Sequence, residues 1–217
     1  MLVGLERLPS LPSLVHRLRS ARVGLLAHPA SVDRSFRHAA DVLLALEIKP
    51  AIFFGPEHGY GGEAQDMIGV ADARDARTGA PIVSLYGDQF SDLSPTAEHL
   101  SRIDVLVIDL ADVGSRYYTF IWTALRRASC RQSRRALRDF PDRPNPLGAH
   151  FDQVEGKLIE PSYLSSVGLE PVPVRHGLTA GQIVRRFATR DGLHEGENGA
   201  FSIVEVLDGP GRDGAEA

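Results

Sequence analysis

The most constraining feature of the chain is the apolar run at residues 104–110, Asp-Val-Leu-Val-Ile-Asp-Leu. It is apolar on both faces of an extended backbone, which is typical of a central strand in a parallel sheet. Other short apolar runs alternate with segments of helical apolar spacing. The predicted strands are 23–27, 51–54, 81–85, 104–110 and 201–207, and the predicted helices are 35–47, 96–103, a helix from about 119, and 180–188. This alternation predicts an α/β protein with a parallel sheet covered by helices.

The alternation is interrupted at residues 126–138, which hold six arginines and no acidic residue. A doubly wound sheet requires a further apolar strand between the helix near Thr119 and the loop at Asp142, and the sequence shows none. A basic surface helix that contacts phosphate is one interpretation, and a solvated charged face is another. We favour a third, in which a local frameshift or deletion scar has replaced the strand. Residues 208–217 are predicted to be a polar tail.

Composition narrows the function classes. The chain has 217 residues, 43% hydrophobic content and a net charge of -4, which gives no general attraction to nucleic acid or anionic membranes. Its single Cys130 excludes an intramolecular disulfide and a cysteine-based zinc site. The eight histidines lack metal-site spacing, so no metal is expected. Neither a signal peptide nor a membrane span is apparent. We therefore expect a cytoplasmic chain, or a periplasmic or secreted one if the start codon is misassigned.

A polar cluster follows the predicted strand 51–54. Gly55 and Pro56 end the strand, and Glu57 and His58 follow side by side among glycines. A carboxylate and an imidazole just beyond a strand's carboxyl end lie where open α/β sheets bind ligands. The alternative is a polar turn in which Glu57 only caps the next segment.

A second cluster follows the strand 104–110. It contains Asp109, Asp112, Arg116, Tyr117 and Tyr118. Carboxylates accept from hydroxyls, tyrosines stack and donate, and arginine pairs with carboxylates, so the set suits a polyhydroxylated, partly anionic ligand. The alternative is that Asp112 caps the next helix and Arg116 neutralises Asp109.

Two more clusters lie further along the chain. The loop 142–148 carries Arg143 and Asn145 between prolines and is a candidate ligand clamp, although a plain proline-rich turn is the alternative. Glu155 is a nearby carboxylate. Arg175 and His176 end an extended segment before a helix whose N-terminus favours an anion, unless the group only caps that helix. We expect all four clusters to meet at one edge of the sheet. Dinucleotide, NTP and thiol motifs are missing from the sequence.

The motifs together resemble the NamZ/YbbC-type exo-β-N-acetylmuramidase family. The resemblance spans residues 23–207 and rests on these segments in order: Gly-Leu-Leu-Ala-His-Pro-Ala-Ser-Val-Asp (24–33), Phe-Gly-Pro-Glu-His-Gly (54–59), Ala-Gln-Asp (64–66), Ser-Leu-Tyr-Gly (84–87), Asp-Val-Gly-Ser-Arg-Tyr-Tyr-Thr (112–119), Asp-Arg-Pro-Asn-Pro (142–146), Val-Glu-Gly (154–156) and Arg-His-Gly-Leu-Thr (175–179).

The resemblance implies a bacterial enzyme that removes N-acetylmuramic acid from the non-reducing end of peptidoglycan fragments, without metal or cofactor. It implies a Rossmann-like N-terminal domain, here residues 1–148, and a second, smaller α/β domain. Relatives continue well past residue 207, so residues 149–217 are expected to be a truncated part of that second domain. Relatives also carry an apolar strand before Asp142, which the arginine-rich stretch is expected to replace.

Glycoside hydrolysis needs a proton donor and a second group at the sugar carbon. Glu57 is the candidate acid, and His58 would orient it or contact the sugar. Asp112, Asp109, Glu155 or the substrate's own acetamido group could be the second group. The candidates for the lactyl carboxylate are Arg116, Arg143 and Arg175; Tyr118, Asn145 and His176 complete the expected binding set. The alternatives are an inactive remnant, a sugar-binding module or, less favoured, a nucleotide-binding protein that uses the arginine cluster.

Overall fold

The computed structural model describes residues 2–62, 73–87, 93–128, 137–148, 151–165, 167–196 and 200–206. Its strands are β1 Val23–Ala27, β2 Pro50–Gly55, β3 Ala73–Arg74, β4 Pro81–Ser84, β5 Val105–Asp109, β6 Leu137–Pro141 and β7 Phe201–Val204. Its helices are α1 Gly4–Arg7, α2 Pro12–Ser20, α3 Ala39–Ala45, α4 Ala97–Ser101, α5 Phe120–Ala128 and α6 Ala180–Arg190, with short 3₁₀ turns at Leu8–Ser10, Phe151–Gln153 and Pro161–Tyr163.

The strands form a single sheet in the order β3-β4-β2-β1-β5-β6-β7. All adjacent pairs are parallel except β3 with β4, so β3 is an antiparallel edge strand. Without β3, the order is that of a Rossmann-like doubly wound sheet, in which the chain reverses its direction of progress between β1 and β5. The predicted α/β fold class is confirmed.

The core lies on both faces of the sheet, because the central strands bury alternate side chains on opposite sides. Leu25 of β1 and Val107 of β5 pack on the face covered by α1, α2 and α3. Leu26 and Ile108 pack on the other face, together with residues of α5 and α6. All five residues of β1 and of β5 are buried. The run at 104–110 is therefore a central parallel strand, as predicted.

The strand β6 corrects the prediction that the arginine-rich stretch replaces a strand. β6 pairs in parallel with β5 on one side and β7 on the other. Its polar residues are buried with partners: Asp139 accepts from Arg17 Nη2 at 2.6 Å and from the Ser202 hydroxyl. Arg138 donates to the Ala200 carbonyl at 3.3 Å. The strand that was expected to be missing is therefore present, although its sequence is polar. The argument for a frameshift, which rested on the lack of this strand, no longer holds. Residues 129–136 and the predicted tail 208–217 lie outside the described residues.

Helix α3 begins later than the predicted helix 35–47. Phe36 has a φ of 59°, in the left-handed region, and its side chain is exposed, so it does not belong to a helix. The helix begins at Ala39, after His38 caps it by accepting from the Ala40 amide at 3.2 Å.

The sheet continues past residue 148, because β7 hydrogen bonds to β6 and α6 shares a core cluster with α5. The division into domains 1–148 and 149–217 stays a prediction. In the described part of the chain, the longest helix is α6, with 11 residues, and none of the helices is long and apolar enough to cross a membrane.

Candidate active site

The polar clusters lie beyond the carboxyl ends of the central strands, where the doubly wound sheet changes direction. The loops after β1, β2, β5 and β6 leave this edge, and the segment before α6 returns to it. The backbone ties them together: Arg116 donates its amide to the Val174 carbonyl at 2.8 Å, and Ser115 and Glu155 both form β-bridges to Arg175. Open α/β sheets bind ligands at this position.

An ion pair joins the β5 and β6 loops at the centre of this edge. Arg143 donates from Nε to Asp109 Oδ1 at 2.6 Å and from Nη2 to Oδ2 at 2.8 Å. Its Nη1 donates to the Val32 carbonyl at 2.9 Å, so the same side chain also binds the loop after β1. The Asp109 side chain is fully buried. Arg143, and not Arg116, is therefore the cation that pairs with Asp109.

Asp112 and His176 form a second buried pair with incomplete hydrogen bonding. Asp112 Oδ2 accepts from the Gly114 amide at 3.0 Å, within its own loop and not from α5. His176 Nδ1 accepts from the Leu178 amide at 3.3 Å, which places the ring proton on Nε2. Nε2 lies 3.2 Å from Asp112 Oδ2 but not in line for a hydrogen bond. Among the described residues neither this Nε2 nor Asp112 Oδ1 has a hydrogen-bond partner.

Glu57 is held in a tight turn after β2. A Cβ on Gly55 would lie 2.2 Å from the Tyr60 amide nitrogen, so the chain folds back closely only because residue 55 is glycine. His58 has a left-handed φ of 71° and is half-buried. Glu57 is also half-buried, and its Oε2 accepts from Thr119 Oγ1 at 2.6 Å. The start of α5 therefore orients the candidate acid.

Tyr118 lies in the loop that carries Asp112, next to Thr119, which donates to Glu57. Burial raises the pKa of its phenol, and the negative charges of Asp112 and then Glu57 raise it further. The ring packs against Phe120 with centroids 4.7 Å apart. The hydrogen bond between Thr119 and Glu57 therefore ties Glu57 to the loop that carries Asp112. The structure thus links Glu57 to the loop of Asp112 and Tyr118, and it places His176 beside Asp112.

Two predicted binding residues fasten the loops instead of facing open space. Arg116 is buried and donates from Nη1 to the Val172 carbonyl at 2.8 Å and the Lys157 carbonyl at 2.9 Å. Asn145 donates to the Leu178 carbonyl at 3.0 Å. A Cβ on Gly114 would lie 2.3 Å from Asn145 Oδ1, so these loops are closely packed.

Arg175 and Glu155 lie at the rim. Arg175 Nη1 donates to Glu155 Oε1 at 2.9 Å, and its Nη2 donates to the Leu147 carbonyl at 2.5 Å and to Gln153 Oε1 at 3.2 Å. The Arg175 side chain is 26% exposed and that of Glu155 is 70% exposed. This pair is the most accessible ion pair among the predicted site residues.

The N-terminus of α6 already holds a carboxylate. Thr179 caps the helix by accepting from the Gln182 amide at 3.1 Å, as the capping alternative predicted. Asp142 accepts from the Thr179 hydroxyl at 2.6 Å and from the Gly181 amide at 2.8 Å. Burial raises the pKa of Asp142, and these hydrogen bonds oppose the rise. The anion expected at this helix end is therefore supplied by the protein.

His28 is a further candidate at this edge that the sequence analysis did not single out. It follows β1 directly and is buried, and its Nε2 accepts from the Ala111 amide at 3.0 Å. Burial, followed by the charges of Arg143 and His38, lowers the pKa of His28 to about 4. The available signal was its position: His28 follows a buried strand, as Glu57 does.

The predicted motif at residues 64–66 lies outside the described residues. In the part of the chain that the structure describes, no group of three or more histidine, cysteine or acidic side chains is arranged to hold a metal ion.

A Rossmann-like sheet with carboxylates beyond its strand ends at the switch point defines an α/β protein with a candidate ligand site at that edge. Comparison with known proteins identifies the family. The family description "Exo-beta-N-acetylmuramidase NamZ, N-terminal" matches residues 23–208. The chain therefore belongs to the NamZ exo-β-N-acetylmuramidase family, as its motifs predicted.

Relatives agree with this assignment. The chain is 39% identical over 178 residues to the peptidoglycan β-N-acetylmuramidase NamZ of Bacillus subtilis strain 168, covering 82% of this chain and 42% of that protein. Two crystal structures of DUF1343 family proteins from Bacteroides fragilis NCTC 9343 are also similar. One has a TM-score of 0.78 and 31% identity, covering 94% of this chain and 49% of its own; the other has 0.66 and 28%, covering 84% and 45%. The chain spans less than half the length of these relatives.

Proposed function

We propose that this chain carries the catalytic site of an exo-acting β-N-acetylmuramidase, which hydrolyses N-acetylmuramic acid from the non-reducing end of peptidoglycan fragments. The observation that carries the proposal is the hydrogen bond from Thr119 to Glu57, which ties this carboxylate to the loop that carries Asp112 at the switch point of the sheet. Most glycoside hydrolases use a pair of carboxyl groups that flank the scissile glycosidic bond.

Glu57 is the residue best placed to act as the proton donor. Thr119 binds its Oε2, which leaves Oε1 to carry the proton toward the glycosidic oxygen. His58 adjoins it in the same turn and would contact the sugar.

The geometry favours Asp112 as the second group. Asp109 is fully buried and paired with Arg143, while Glu155 is exposed at the rim. Asp112 is buried, and its Oδ1 has no hydrogen-bond partner among the described residues. A buried acceptor of this kind is satisfied when a substrate N–H or O–H arrives. Asp112 would act on the sugar carbon directly or orient the acetamido group of the substrate.

Arg175 is the best-supported partner for the lactyl carboxylate that distinguishes muramic acid from N-acetylglucosamine. Arg143 and Arg116 are bound within the protein. Arg175 is partly exposed, and its exposed partner Glu155 is readily displaced by a substrate carboxylate. We expect Arg175→Gln to lower the preference for a chromogenic N-acetylmuramide over the matching N-acetylglucosaminide by at least about tenfold. An unchanged preference would remove Arg175 from this role.

The test of the activity is hydrolysis of a chromogenic N-acetyl-β-muramide by this chain. Glu57→Gln should lower kcat by about 100-fold or more, as expected for loss of a general acid. Thr119→Val should lower it less, because the acid is present but not held. Glu98→Gln, an exposed carboxylate in the first turn of α4, is the matched control. A Glu57→Gln rate equal to that of the control would exclude Glu57 as the acid.

A sugar-binding module is the second candidate, favoured by the chain's coverage of only 42% of the B. subtilis relative. Such a module would show a higher melting temperature with N-acetylmuramic acid but no turnover. A broad melting transition that the sugar leaves unchanged would indicate an inactive remnant. The cytoplasmic location and the expectations of no cofactor and no nucleic-acid partner stay predictions from the sequence.

A further inference from the structure

We propose that His28 is a positioning residue, which fixes the loop that carries Asp112 by accepting a hydrogen bond from the Ala111 amide. The inference rests on the proposed function, since the loop matters for catalysis only if Asp112 acts on the substrate. The hydrogen bond from the Ala111 amide to His28, by contrast, can be tested without assuming that function.

His28 is itself held from several sides. Its amide donates to Ser31 Oγ at 3.0 Å, and the Ser31 hydroxyl donates in turn to the Asp109 carbonyl at 2.5 Å. His38 Nε2 lies 3.0 Å from the His28 carbonyl. The imidazole ring meets the Phe120 ring edge-on, with centroids 4.6 Å apart. An imidazole fixed in this way presents a rigid acceptor, as positioning requires.

The ring's protonation state suits this role. Because Nε2 accepts from the Ala111 amide at 3.0 Å, the proton of the neutral ring is on Nδ1. A protonated ring would carry an N–H on both nitrogens and would lose this bond. Burial and the charge of Arg143 keep His28 neutral at pH 7.

The contact controls the stretch of chain that leads to Asp112. Asp109, two residues before Ala111, is fixed by Arg143, and Gly114 is packed against Asn145. The Ala111 amide lies between these fixed points and directly precedes Asp112. Without the His28 contact, the loop would lose its side-chain anchor next to Asp112, and the carboxylate could shift relative to Glu57.

Two substitutions separate the hydrogen bond from the ring. The Oε1 of His28→Gln can occupy the place of Nε2 and accept from the Ala111 amide. The amide of His28→Asn reaches only the place of Nδ1, so that contact is lost. Both remove the contact with Phe120, so they form a matched pair.

The first measurement is amide hydrogen exchange of residues 110–114 in this chain. His28→Asn should raise exchange at Ala111 by about 2- to 10-fold, the loss expected for one hydrogen bond, whereas His28→Gln should stay near wild type. Equal exchange at Ala111 in the two variants would overturn the inference. This result does not depend on activity, so it stands apart from a failure of the proposed function.

The second measurement is turnover of the chromogenic N-acetyl-β-muramide. His28→Asn should lower kcat by about 10- to 100-fold with a smaller change in KM, and His28→Gln should restore much of the loss. A purely structural role would instead lower the melting temperature of both variants while leaving their kcat values equal. Equal kcat values in the two variants, with different exchange at Ala111, would also overturn the positioning role. No turnover by the wild-type chain would refute the proposed function, and the exchange result would still decide whether His28 holds the loop.

Discussion

Replacing Arg143 with methionine tests whether the ion pair with Asp109 holds the edge of the sheet together. The substitution keeps much of the aliphatic stem but removes both donors to the Asp109 carboxylate, at 2.6 and 2.8 Å, and the donor to the Val32 carbonyl. It leaves the Asp109 side chain, 0% exposed, as a buried charge without its cation.

The burial of Asp109 determines how much stability the Arg143→Met substitution costs. Removing one partner of a buried pair costs about 3–5 kcal/mol, because the remaining ion is neither hydrated nor paired. For a chain of this size, each kcal/mol lowers the melting temperature by about 2–4 °C, so we expect a loss of roughly 6–20 °C. The double substitution Asp109→Asn with Arg143→Met should recover part of this loss, since no charge is then left buried.

The exposed pair of Arg22 and Asp104 provides a matched control. Arg22 also binds its carboxylate with two donors, at 3.0 and 2.7 Å, but the side chains are 56% and 47% exposed. Arg22→Met should therefore cost at most about 1 kcal/mol. Urea unfolding followed by circular dichroism gives both free energies. If Arg143→Met is no more destabilising than Arg22→Met, the argument from burial is refuted.

Three further substitutions test other parts of the structure. The folded pKa of His28, about 4, lies below its ordinary 6.5, so the unfolded chain binds the proton first as the pH falls. Between pH 6.5 and 4 the free energy of unfolding of the wild type, measured by urea titration, should fall by roughly 3 kcal/mol relative to that of His28→Gln. Parallel pH curves of the two proteins would contradict this. Arg17→Met should lower the free energy of unfolding by about 2–4 kcal/mol at pH 7, because it leaves the buried Asp139 without its cation. Burial already raises the pKa of the Asp139 carboxyl, so this loss should shrink at lower pH. A loss that does not change with pH would contradict the prediction. Gly114→Ala should lower stability by about 1–3 kcal/mol more than Gly79→Ala in thermal melting, because both glycines have positive φ but only the first Cβ meets a neighbouring loop; equal losses would exclude the close packing.

The sequence predicted the strands whose burial is visible as apolar residues. β1 and β5 were predicted nearly to their ends because every residue in them packs into the core. β6 was missed because two of its five residues are charged, and nothing local shows that Asp139 meets Arg17, 122 positions away. Burial of a paired charge is a property of the fold, so periodicity does not reveal it.

The sequence also predicted that the polar clusters meet at one edge, because residues that follow buried strands of a parallel sheet lie at the same end of the sheet. It did not distinguish the residues that bind each other from those open to a ligand. Arg116, Arg143 and Arg175 have the same chemistry in sequence, and only the coordinates show that the first two are largely buried while Arg175 is partly exposed. His28 was overlooked because its partner is a backbone amide, which leaves no mark in the amino-acid pattern.

Two buried pairs at this edge, Asp109 with Arg143 and Asp112 with His176, differ in their hydrogen bonds. The Asp109 and Arg143 pair is buried and closely bonded, and such pairs define the relative position of the loops. Asp112 and His176 are also buried, yet each has a polar atom with no hydrogen-bond partner among the described residues. Leaving such an atom unsatisfied costs about 1–3 kcal/mol, a cost that a ligand bonded there would offset. The closely bonded Asp109 and Arg143 therefore hold the loops in place, and the unsatisfied atoms of Asp112 and His176 fit the proposal that these two residues contact the substrate.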